Sequence, residues 1–516
     1  MILHDCQVLT MDPRMPRASA LAIAGGRILG GVDSREDAIA SQAHERVGLG
    51  GATVVPGFCD SHVHLAAWAT RARRLDLGGV ARFEDLQQAL AGAAAQATGS
   101  TWIVGDGLRI REVLGDPPLP DLGRALDDAA QDRPALLIDR DGHGVLATSA
   151  ALAASGLDID ALAGLGPVWR RDDGSFNGLA REHAAWALRA AVPDSEPTTA
   201  ELARALREAA RRGVTAIHDM DGPGAMTRWR RLEAERGLPI RIWQHIHPEQ
   251  LEAAATLGVD AGFGSDRLRI AGVKAFADGT LGSGTAWLDP PGADGSGEAL
   301  LDAEAIADLT SRAHAAGLPV TIHAIGDGAV AAAAHGIARG RTEAPRHAGW
   351  DRIEHAQLVP AGAIGSCLQA QVAVGIQPTH LASDLAAAEA AWADRLDRAY
   401  PWRMLHEAGL PLLIGSDAPI EDLDPLAALR TACAPPVAGR DGWPGISLPA
   451  EAALAAMTTL PAHAVGAGAE LGMLSKGYRA DLVVLSGNPL EDPDVEVVAT
   501  MVGGRFVHGR NALGQA

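Results

Sequence analysis

The sequence predicts an α/β protein that consists of a (β/α)8 TIM-like barrel and a small β-domain composed of both chain termini. Two patterns in the 516 residues lead to this fold class. Strand-like apolar segments alternate with alanine-rich helical segments through the middle of the chain, as βα units do. Short β segments separated by Gly, Pro and Asp fill both ends, where a helical period is missing. We therefore expect residues 1–55 and 468–516 to form the β-domain and residues 56–467 to form the barrel.

Both ends of the chain contain short strand-like segments. Near the start these are QVLTM, ALAIAGGRILG and ATVVPG, and near the end they are GMLSKGYRADLVVLSG and VVATMVGGRFVHG. Because the two ends share this pattern, we predict that they combine into one sheet unit outside the barrel.

Eight apolar segments in the middle of the chain are the candidate barrel strands, and each carries a polar residue at or near its end. In a (β/α)8 barrel the carboxyl ends of the strands converge on the active face. The eight segments are FCDSHVH (58–64), VTAIHDM (214–220), RIWQHIH (241–247), GVKAFAD (272–278), PVTIHAI (319–325), RIEHA (352–356), VGIQPTH (374–380) and PLLIGSDA (411–418).

The stretch between the first two candidate strands, about 66–212, is too long for one crossover helix. It contains further strand-like pieces, TWIVGDGLR and PALLIDRDGHG. We predict an inserted subdomain there, which leaves from the catalytic end of the first strand.

Composition narrows the range of partners. A formal charge of −20 and the absence of a Lys/Arg cluster interleaved with aromatics argue against nucleic acid. No apolar run is long enough to span a membrane, and the start of the chain does not have the features of a secretory signal. We expect a soluble, cytoplasmic protein that binds a small-molecule substrate.

Two observations indicate metal chemistry. His62 and His64 lie on the same side of an extended segment and can reach one ion, although His245 and His247 have the same spacing and a lone HxH pair is more often structural. Lys274 is one of only two lysines in the chain, in contrast to its many arginines. A lysine kept in an apolar strand favours amine chemistry that a guanidinium cannot perform. With these residues, the candidate ligands at strand ends are His62, His64, Lys274, His323, His355 and Asp417.

Seven motifs together resemble the amidohydrolase superfamily, in particular its branch of N-substituted formamide deformylase and related metal-dependent amidohydrolases. The resemblance runs from about residue 1 to residue 510. The motifs are PGFCDSHVHL, GVKAFADGTLGSGTAWL, TIHAIGDGAV, RIEHAQLV, IQPTHLASD, GSDAPIEDLDPL and KGYRADLVVLSGNPL.

The resemblance implies a barrel beside a β-sandwich built from both chain ends. It assigns the metal pair to His62 and His64 rather than to His245 and His247. It also implies that carbon dioxide carboxylates Lys274 and that the resulting carbamate bridges two divalent ions. One ion would be held by His62, His64, Lys274 and Asp417, and the other by Lys274, His323 and His355.

The mechanism implied by the resemblance is attack by a hydroxide held between the ions, most simply zinc ions. Asp417 would take the proton of the hydroxide and deliver it to the leaving nitrogen, with Lys274 and His323 completing the catalytic set. Further candidates for substrate binding are Asp141 and His143 in DRDGHG, together with Trp287, Gln377 and His380, which lie in motifs that resemble the family. Trp68 is a candidate because it and Trp287 could wall an apolar pocket.

The sequence predicts hydrolysis of a non-peptide carbon–nitrogen bond in a linear amide or N-substituted formamide. The same barrel also serves mononuclear deaminases and cyclic amidases, and a non-catalytic small-molecule binding protein is a further alternative. Motifs for a serine nucleophile elbow, a P-loop and an HExxH helix are missing from the sequence. Family members often form homodimers, so we keep a homodimer as an expectation.

Overall fold

A computed structural model describes residues 1–32, 45–98, 101–115, 118–193, 196–292, 295–341, 347–360, 362–440, 442–443 and 445–515. The chain folds into two compact units. The first unit comprises Met1–Ala66, Thr199–Ala277 and Ala299–Ala516. The second unit comprises Ala67–Thr198 and Asp278–Glu298.

An eight-stranded parallel sheet forms the centre of the first unit, and its strands are neighbours in chain order. Its register includes Phe276 opposite His323, on the fourth and fifth strands. At the C-terminal ends of the first and eighth strands, the Asp417 N–H donates to His62 O at 2.7 Å. The strands are Phe58–Val63, Val214–Asp219, Arg241–Ile246, Leu268–Phe276, Val320–Ala324, Arg352–His355, Ala373–Ile376 and Leu412–Ile414.

Helices follow the strands of the first unit, and aspartate side chains cap the start of some of them. Asp302 accepts hydrogen bonds from the N–H groups of Glu304 and Ala305, and Asp424 caps a helix that begins with Pro425. The α-helices are Thr199–Arg211, Ala225–Arg236, Leu251–Leu257, Ala303–Ala315, Asp327–Gly340, Ala363–Ala370, His380–Ala391, Trp402–Glu407, Pro425–Cys433, Ala450–Ala455 and Thr459–Ala464, and short 3₁₀ turns occupy Pro248–Gln250, Leu396–Arg398 and Arg510–Ala512. Within the described ranges, none of the helices has both the length and the apolar character that crossing a membrane requires.

The chain termini form two further sheets of the first unit. Leu482–Leu485 pairs antiparallel with Thr53–Pro56, so strands from opposite ends of the chain are direct neighbours. Side chains of both sheets, among them Leu3 and Val484, pack into one buried cluster. The five-stranded sheet contains Gly514–Gln515, Arg46–Gly48, Ile2–His4, Ala20–Ala24 and Arg27–Val32, and the six-stranded sheet contains Arg505–His508, Val497–Val502, Leu482–Leu485, Thr53–Pro56, Gln7–Leu9 and Arg17–Ala18.

The second unit is built on a six-stranded mixed sheet. Its strands are Leu75–Asp76, Ile103–Leu108, Ala135–Asp139, Gly144–Ala147, Val168–Arg170 and Phe176–Arg181. Its helices are Phe83–Gln96, Ile110–Leu114, Leu122–Ala129, Ser149–Ser155, Ile159–Ala163 and Glu182–Ala190, with a 3₁₀ turn at Arg71–Arg73, and Leu65–Thr70 leads into it from the first barrel strand.

The predicted fold class, a (β/α)8 barrel with a β-sandwich from both termini, is confirmed. The proposed domain boundaries remain a prediction. The second unit corresponds to most of the predicted insertion at 66–212, but it also includes Asp278–Glu298, which the sequence did not assign to it.

Candidate active site

Five of the six predicted ligands are joined by short distances at the C-terminal ends of the barrel strands, and Lys274, the sixth, is near enough to interact electrostatically with His62 and Asp417. The Nε2 atoms of His62 and His64 are each 3.5 Å from Asp417 Oδ1. The ring centroid of His355 lies 4.9 Å from that of His62 and 4.4 Å from that of His323. The first, fifth, sixth and eighth strands therefore bring their terminal polar side chains to one place.

The backbone at two of these residues is in the left-handed region. His355 has φ of 71° and Asp417 has φ of 57°. Such conformations cost of order 1–3 kcal/mol for residues other than glycine and cluster at functional sites. His355 ends the sixth strand and Asp417 lies three residues after the end of the eighth, so both backbone turns stand at the C-terminal ends of strands.

The donor set fits a divalent metal ion. Ligand atoms of His62, His355 and Asp417 all lie within 4.8 Å of one another, and all three residues are buried. His355 Nδ1 has no hydrogen-bond partner among the described residues, although it is buried. Imidazole nitrogens with a carboxylate oxygen are a ligand set that suits zinc.

Burial keeps the imidazoles in the form that binds metals. It lowers the pKa of His62 well below its usual value, and the nearby Lys274 ammonium lowers it further. Burial and the neighbouring His323 lower the pKa of His355 in the same direction. Neutral imidazoles carry the free electron pair that a metal ion needs.

Lys274 lies in the fourth strand and is fully buried. Its Nζ has no hydrogen-bond partner in the part of the chain that the structure describes, and it sits 4.9 Å from the centroid of the Phe276 ring. Burial lowers the pKa of Lys274 to about 8, against the opposing effect of the Glu354 and Asp417 carboxylates. Burying an amine without a hydrogen-bond partner costs free energy, so we expect a further group to bind or modify Lys274.

Two carboxylates beside the predicted ligands were not among the predicted site residues. His62 Nδ1 lies 2.6 Å from Glu354 Oε2, and His64 Nδ1 lies 3.7 Å from Asp221 Oδ1. Asp219, at the end of the second strand, accepts a hydrogen bond from Trp229 Nε1 at 2.6 Å. Asp221 lies two residues after the end of the second strand, close to the polar residues His218 and Asp219, so the sequence did contain a signal for it. Nothing in the sequence indicated a role for Glu354 except its position next to His355.

Gln377 and His380, predicted to bind substrate, also belong to the first unit. His380 Nε2 is 3.8 Å from Asp417 Oδ2, and its ring is stacked on that of His355 with centroids 6.2 Å apart. Gln377 is 4% exposed, and both polar atoms of its amide lack a hydrogen-bond partner within the described ranges.

Asp141 and His143, also predicted to bind substrate, lie in the second unit. Asp141 Oδ2 accepts hydrogen bonds from the hydroxyl of Thr280 and, at 2.6 Å, from that of Ser283. His143 Nδ1 donates to Glu182 Oε2 at 2.8 Å, and Glu182 is buried with φ of 53°. Both predicted residues are thus held by buried polar partners.

The two predicted tryptophans are in the second unit as well. The Arg71 guanidinium lies 4.5 Å above the ring of Trp68, which is 3% exposed. The backbone N–H of Trp287 donates to Asp278 Oδ2 at 3.0 Å. The carboxylate of Asp278 therefore holds a loop at that point.

His245 and His247, the second HxH pair, have different surroundings from those of His62 and His64. His247 Nε2 donates to Met220 O at 3.3 Å. His245 is buried, and neither of its ring nitrogens has a hydrogen-bond partner in the described part of the chain.

A further group of possible ligands, His314, His347 and Asp351, precedes the sixth strand. Asp351 Oδ1 lies 2.9 Å from His314 Nε2 and accepts the Val320 N–H at 2.9 Å, while Oδ2 is 3.3 Å from the guanidinium of Arg341. Because the arginine already compensates the carboxylate, this group has the contacts of a structural ion-pair network.

The chain is similar in sequence and in structure to known proteins. Residues 45–508 match the model of the family described as the Amidohydrolase family. The Protein LONG AFTER FAR-RED 3 of Arabidopsis thaliana is 30% identical over 98% of this chain and 91% of its own length. N-substituted formamide deformylase of Arthrobacter pascens is 26% identical over 99% of this chain and 97% of its own. The crystal structure of an uncharacterized metal-dependent hydrolase from Pyrococcus furiosus matches with a TM-score of 0.74 and 29% identity, covering 95% of this chain and 99% of that one.

Proposed function

The chain belongs to the amidohydrolase family, and from this premise we propose that it hydrolyses a non-peptide carbon–nitrogen bond in a linear amide or an N-substituted formamide. The observation that carries the proposal is the group of His62, His355 and Asp417, whose ligand atoms lie within 4.8 Å of one another at the barrel mouth. The likeness to a formamide deformylase over nearly the whole chain supports this substrate class.

We assign the metal-holding residues by the donor atoms present. His62, His64, Lys274 and Asp417 would hold one divalent ion, and Lys274, His323 and His355 the other. The unpartnered, buried Nζ supports carboxylation of Lys274, since a carbamate would convert an isolated amine into an anionic ligand. When bound, zinc supplies a Lewis acid for the scissile carbonyl and lowers the pKa of water.

Asp417 is the residue best placed to move a proton. Its Oδ1 faces His62 and His64, and its Oδ2 faces His380 at 3.8 Å. A carboxylate that lies between imidazoles on both sides can accept a proton from water and pass it to the leaving nitrogen. Its left-handed backbone, with φ of 57°, fixes the direction in which the side chain points.

The substrate-binding residues are part of the proposal. The amide of Gln377 offers one donor and one acceptor without partners, which matches the carbonyl and the N–H of an amide. For the second unit we propose Trp68, Asp141, His143 and Trp287 as substrate-binding residues, and alanine substitutions that raise KM with little change in kcat would support each of them.

A substrate panel with the zinc-loaded, full-length protein tests the function. Linear amides and N-substituted formamides should be turned over, and cyclic amides and amino-purines should not. Asp417→Asn should lower kcat by about 10²–10⁴-fold, because it removes the proton carrier. Turnover of only the cyclic amides would replace the proposal with a cyclic amidase. Turnover of only the amino-purines would replace it with a deaminase. No turnover by a metal-loaded protein would favour a binding protein.

A further inference from the structure

Glu354 is a fully buried carboxylate on the sixth barrel strand, between a predicted metal ligand and a buried arginine. Its Oε2 lies 2.6 Å from His62 Nδ1, and its Oε1 lies 2.7 Å from Arg352 Nη2. We propose that Glu354 is a positioning residue that fixes the tautomer and the ring orientation of His62 for metal binding. This inference rests on the proposed metal-dependent function.

The contact with Glu354 determines which nitrogen of His62 carries the proton. An ionised carboxylate only accepts hydrogen bonds, so the proton of a neutral His62 stays on Nδ1. The electron pair is then on Nε2, the atom that lies 3.5 Å from Asp417 Oδ1. A carboxylate on the far nitrogen also makes the ligating nitrogen more basic.

Arg352 compensates the charge of Glu354. It is 1% exposed, and its Nη2 also donates to Ser61 O at 2.8 Å, next to His62 in the chain. Its Nη1 donates to His218 Nδ1 at 3.0 Å. A buried carboxylate without a cation would be strongly unfavourable, so Arg352 makes the position of Glu354 tenable and connects the first, second and sixth strands.

The neighbouring strand leaves room for the carboxylate. A Cβ on Gly375 would lie 2.1 Å from Glu354 Oε2 and 2.6 Å from its Cδ. Any larger residue at this position of the seventh strand would displace the carboxylate from His62. The glycine is therefore part of the arrangement that holds the imidazole.

The backbone of His62 is held separately from its ring. Asp60 Oδ1 accepts the N–H of His62 at 3.2 Å and that of Ser416 at 2.9 Å, and its Oδ2 accepts the Ser416 hydroxyl at 2.5 Å. Asp60 is thus occupied by the backbone and by serine. Glu354 is the carboxylate within hydrogen-bond distance of His62 Nδ1.

The test is the affinity of the full-length protein for zinc, measured by competition with a chromophoric chelator. Glu354→Gln should weaken zinc binding about 10–100-fold. The NH2 group of the glutamine would face either the Arg352 guanidinium or His62 Nδ1–H, so that two hydrogen-bond donors meet. The visible spectrum of the cobalt-loaded protein should change with the same substitution, which a purely structural role elsewhere in the barrel would not cause.

Asp351→Asn is the matched control. Asp351 is also fully buried, immediately precedes the sixth strand and lies 2.9 Å from a nitrogen of His314, which is not a predicted ligand. It should lower stability and leave zinc affinity within about twofold. Equal zinc affinity in Glu354→Gln and the wild type would overturn the inference.

A second measurement covers the case in which Glu354→Gln does not fold. Nitrogen-15 NMR of the histidine side chains in the wild type, with His62 assigned by comparison with His62→Gln, should show the Nδ1–H tautomer. The Nε2–H tautomer would contradict the inference. Absence of hydrolysis in the substrate panel would remove the proposed function but leave the zinc-affinity and tautomer results intact.

Discussion

Gly415 illustrates how one residue without a side chain positions the candidate site. A Cβ at this position would lie 2.5 Å from the backbone nitrogen of His62 and 2.6 Å from its Cβ. The close approach lets the eighth strand bring Asp417 against the end of the first strand, where the Asp417 N–H donates to His62 O.

Gly415→Ala should therefore move the end of the first strand. We expect a loss of about 1–3 kcal/mol of stability from overpacking, together with weaker zinc binding. Gly365→Ala is the control, because Gly365 is exposed in the helix Ala363–Ala370 and a Cβ there meets nothing within 4 Å. It should be neutral or stabilising by up to about 1 kcal/mol. Urea unfolding and chelator competition measure both effects, and equal behaviour of the two variants would be evidence against this role.

Single functional residues could be predicted where their residue type is unusual at that place in the sequence. Lys274 was recognisable because lysine is so rare in this chain, and the structure places it, buried, on the fourth strand. Glu354 was not recognisable, because its role depends on a contact 292 positions away in sequence. The HxH pairs could not be ranked by spacing alone, since only the fold brings His62 and His64 to Asp417.

Between elements, one buried ion pair joins the barrel to the terminal sheets. Arg241 begins the third barrel strand, and Asp481 directly precedes the strand Leu482–Leu485. Arg241 Nε and Nη2 contact the two carboxylate oxygens of Asp481 at 2.6 and 3.0 Å. This bidentate pair is buried on both sides, so it is weakly screened.

Asp481→Asn should destabilise the protein by about 1–3 kcal/mol, because it removes the buried carboxylate from Arg241 and leaves the half-exposed Asp266, 3.2 Å away, as its remaining carboxylate partner. An exposed pair serves as the control: Arg312 lies 3.0 Å from Asp308, and both side chains are more than half exposed. Arg312→Ala should change stability by less than about 1 kcal/mol. The midpoint of urea unfolding distinguishes the two, and a small effect of Asp481→Asn would show that the pair does not stabilise this junction.

The elements themselves were largely predictable. Parallel barrel strands are buried on both faces and appear in the sequence as apolar runs, which is why all eight segments correspond to strands of the sheet. Their bounds were less accurate: the fourth strand begins at Leu268, before the predicted GVKAFAD segment. The inclusion of Asp278–Glu298 in the second unit was not predictable, because it depends on contacts with residues more than a hundred positions earlier, such as that of Thr280 with Asp141.

At the scale of the whole molecule, metal binding should increase the free energy of unfolding. A ligand that binds only the folded state stabilises it by about 2.7 kcal/mol at a hundred times its Kd. Zinc added to chelator-treated protein should therefore raise the unfolding temperature in calorimetry, and the increase should shrink in His355→Ala. A zinc-independent unfolding temperature would contradict the assignment of the ligand group.

The predicted homodimer is a further whole-molecule expectation. Light scattering coupled to size-exclusion chromatography should give twice the chain mass of 53.3 kDa if it is correct. The monomer mass would show that family precedent does not extend to this chain. The cytoplasmic location likewise stays a prediction.

Metal content per chain is the most direct test of the central claim. Protein purified with zinc and bicarbonate should contain about two ions, as in carbamate-bridged or carboxylate-bridged two-metal sites. Lys274→Ala and His323→Ala should reduce this to one ion or none, because both residues are assigned to the same pair of ions. One ion in the wild type, unchanged in Lys274→Ala, would contradict the bridging lysine and point to a mononuclear centre.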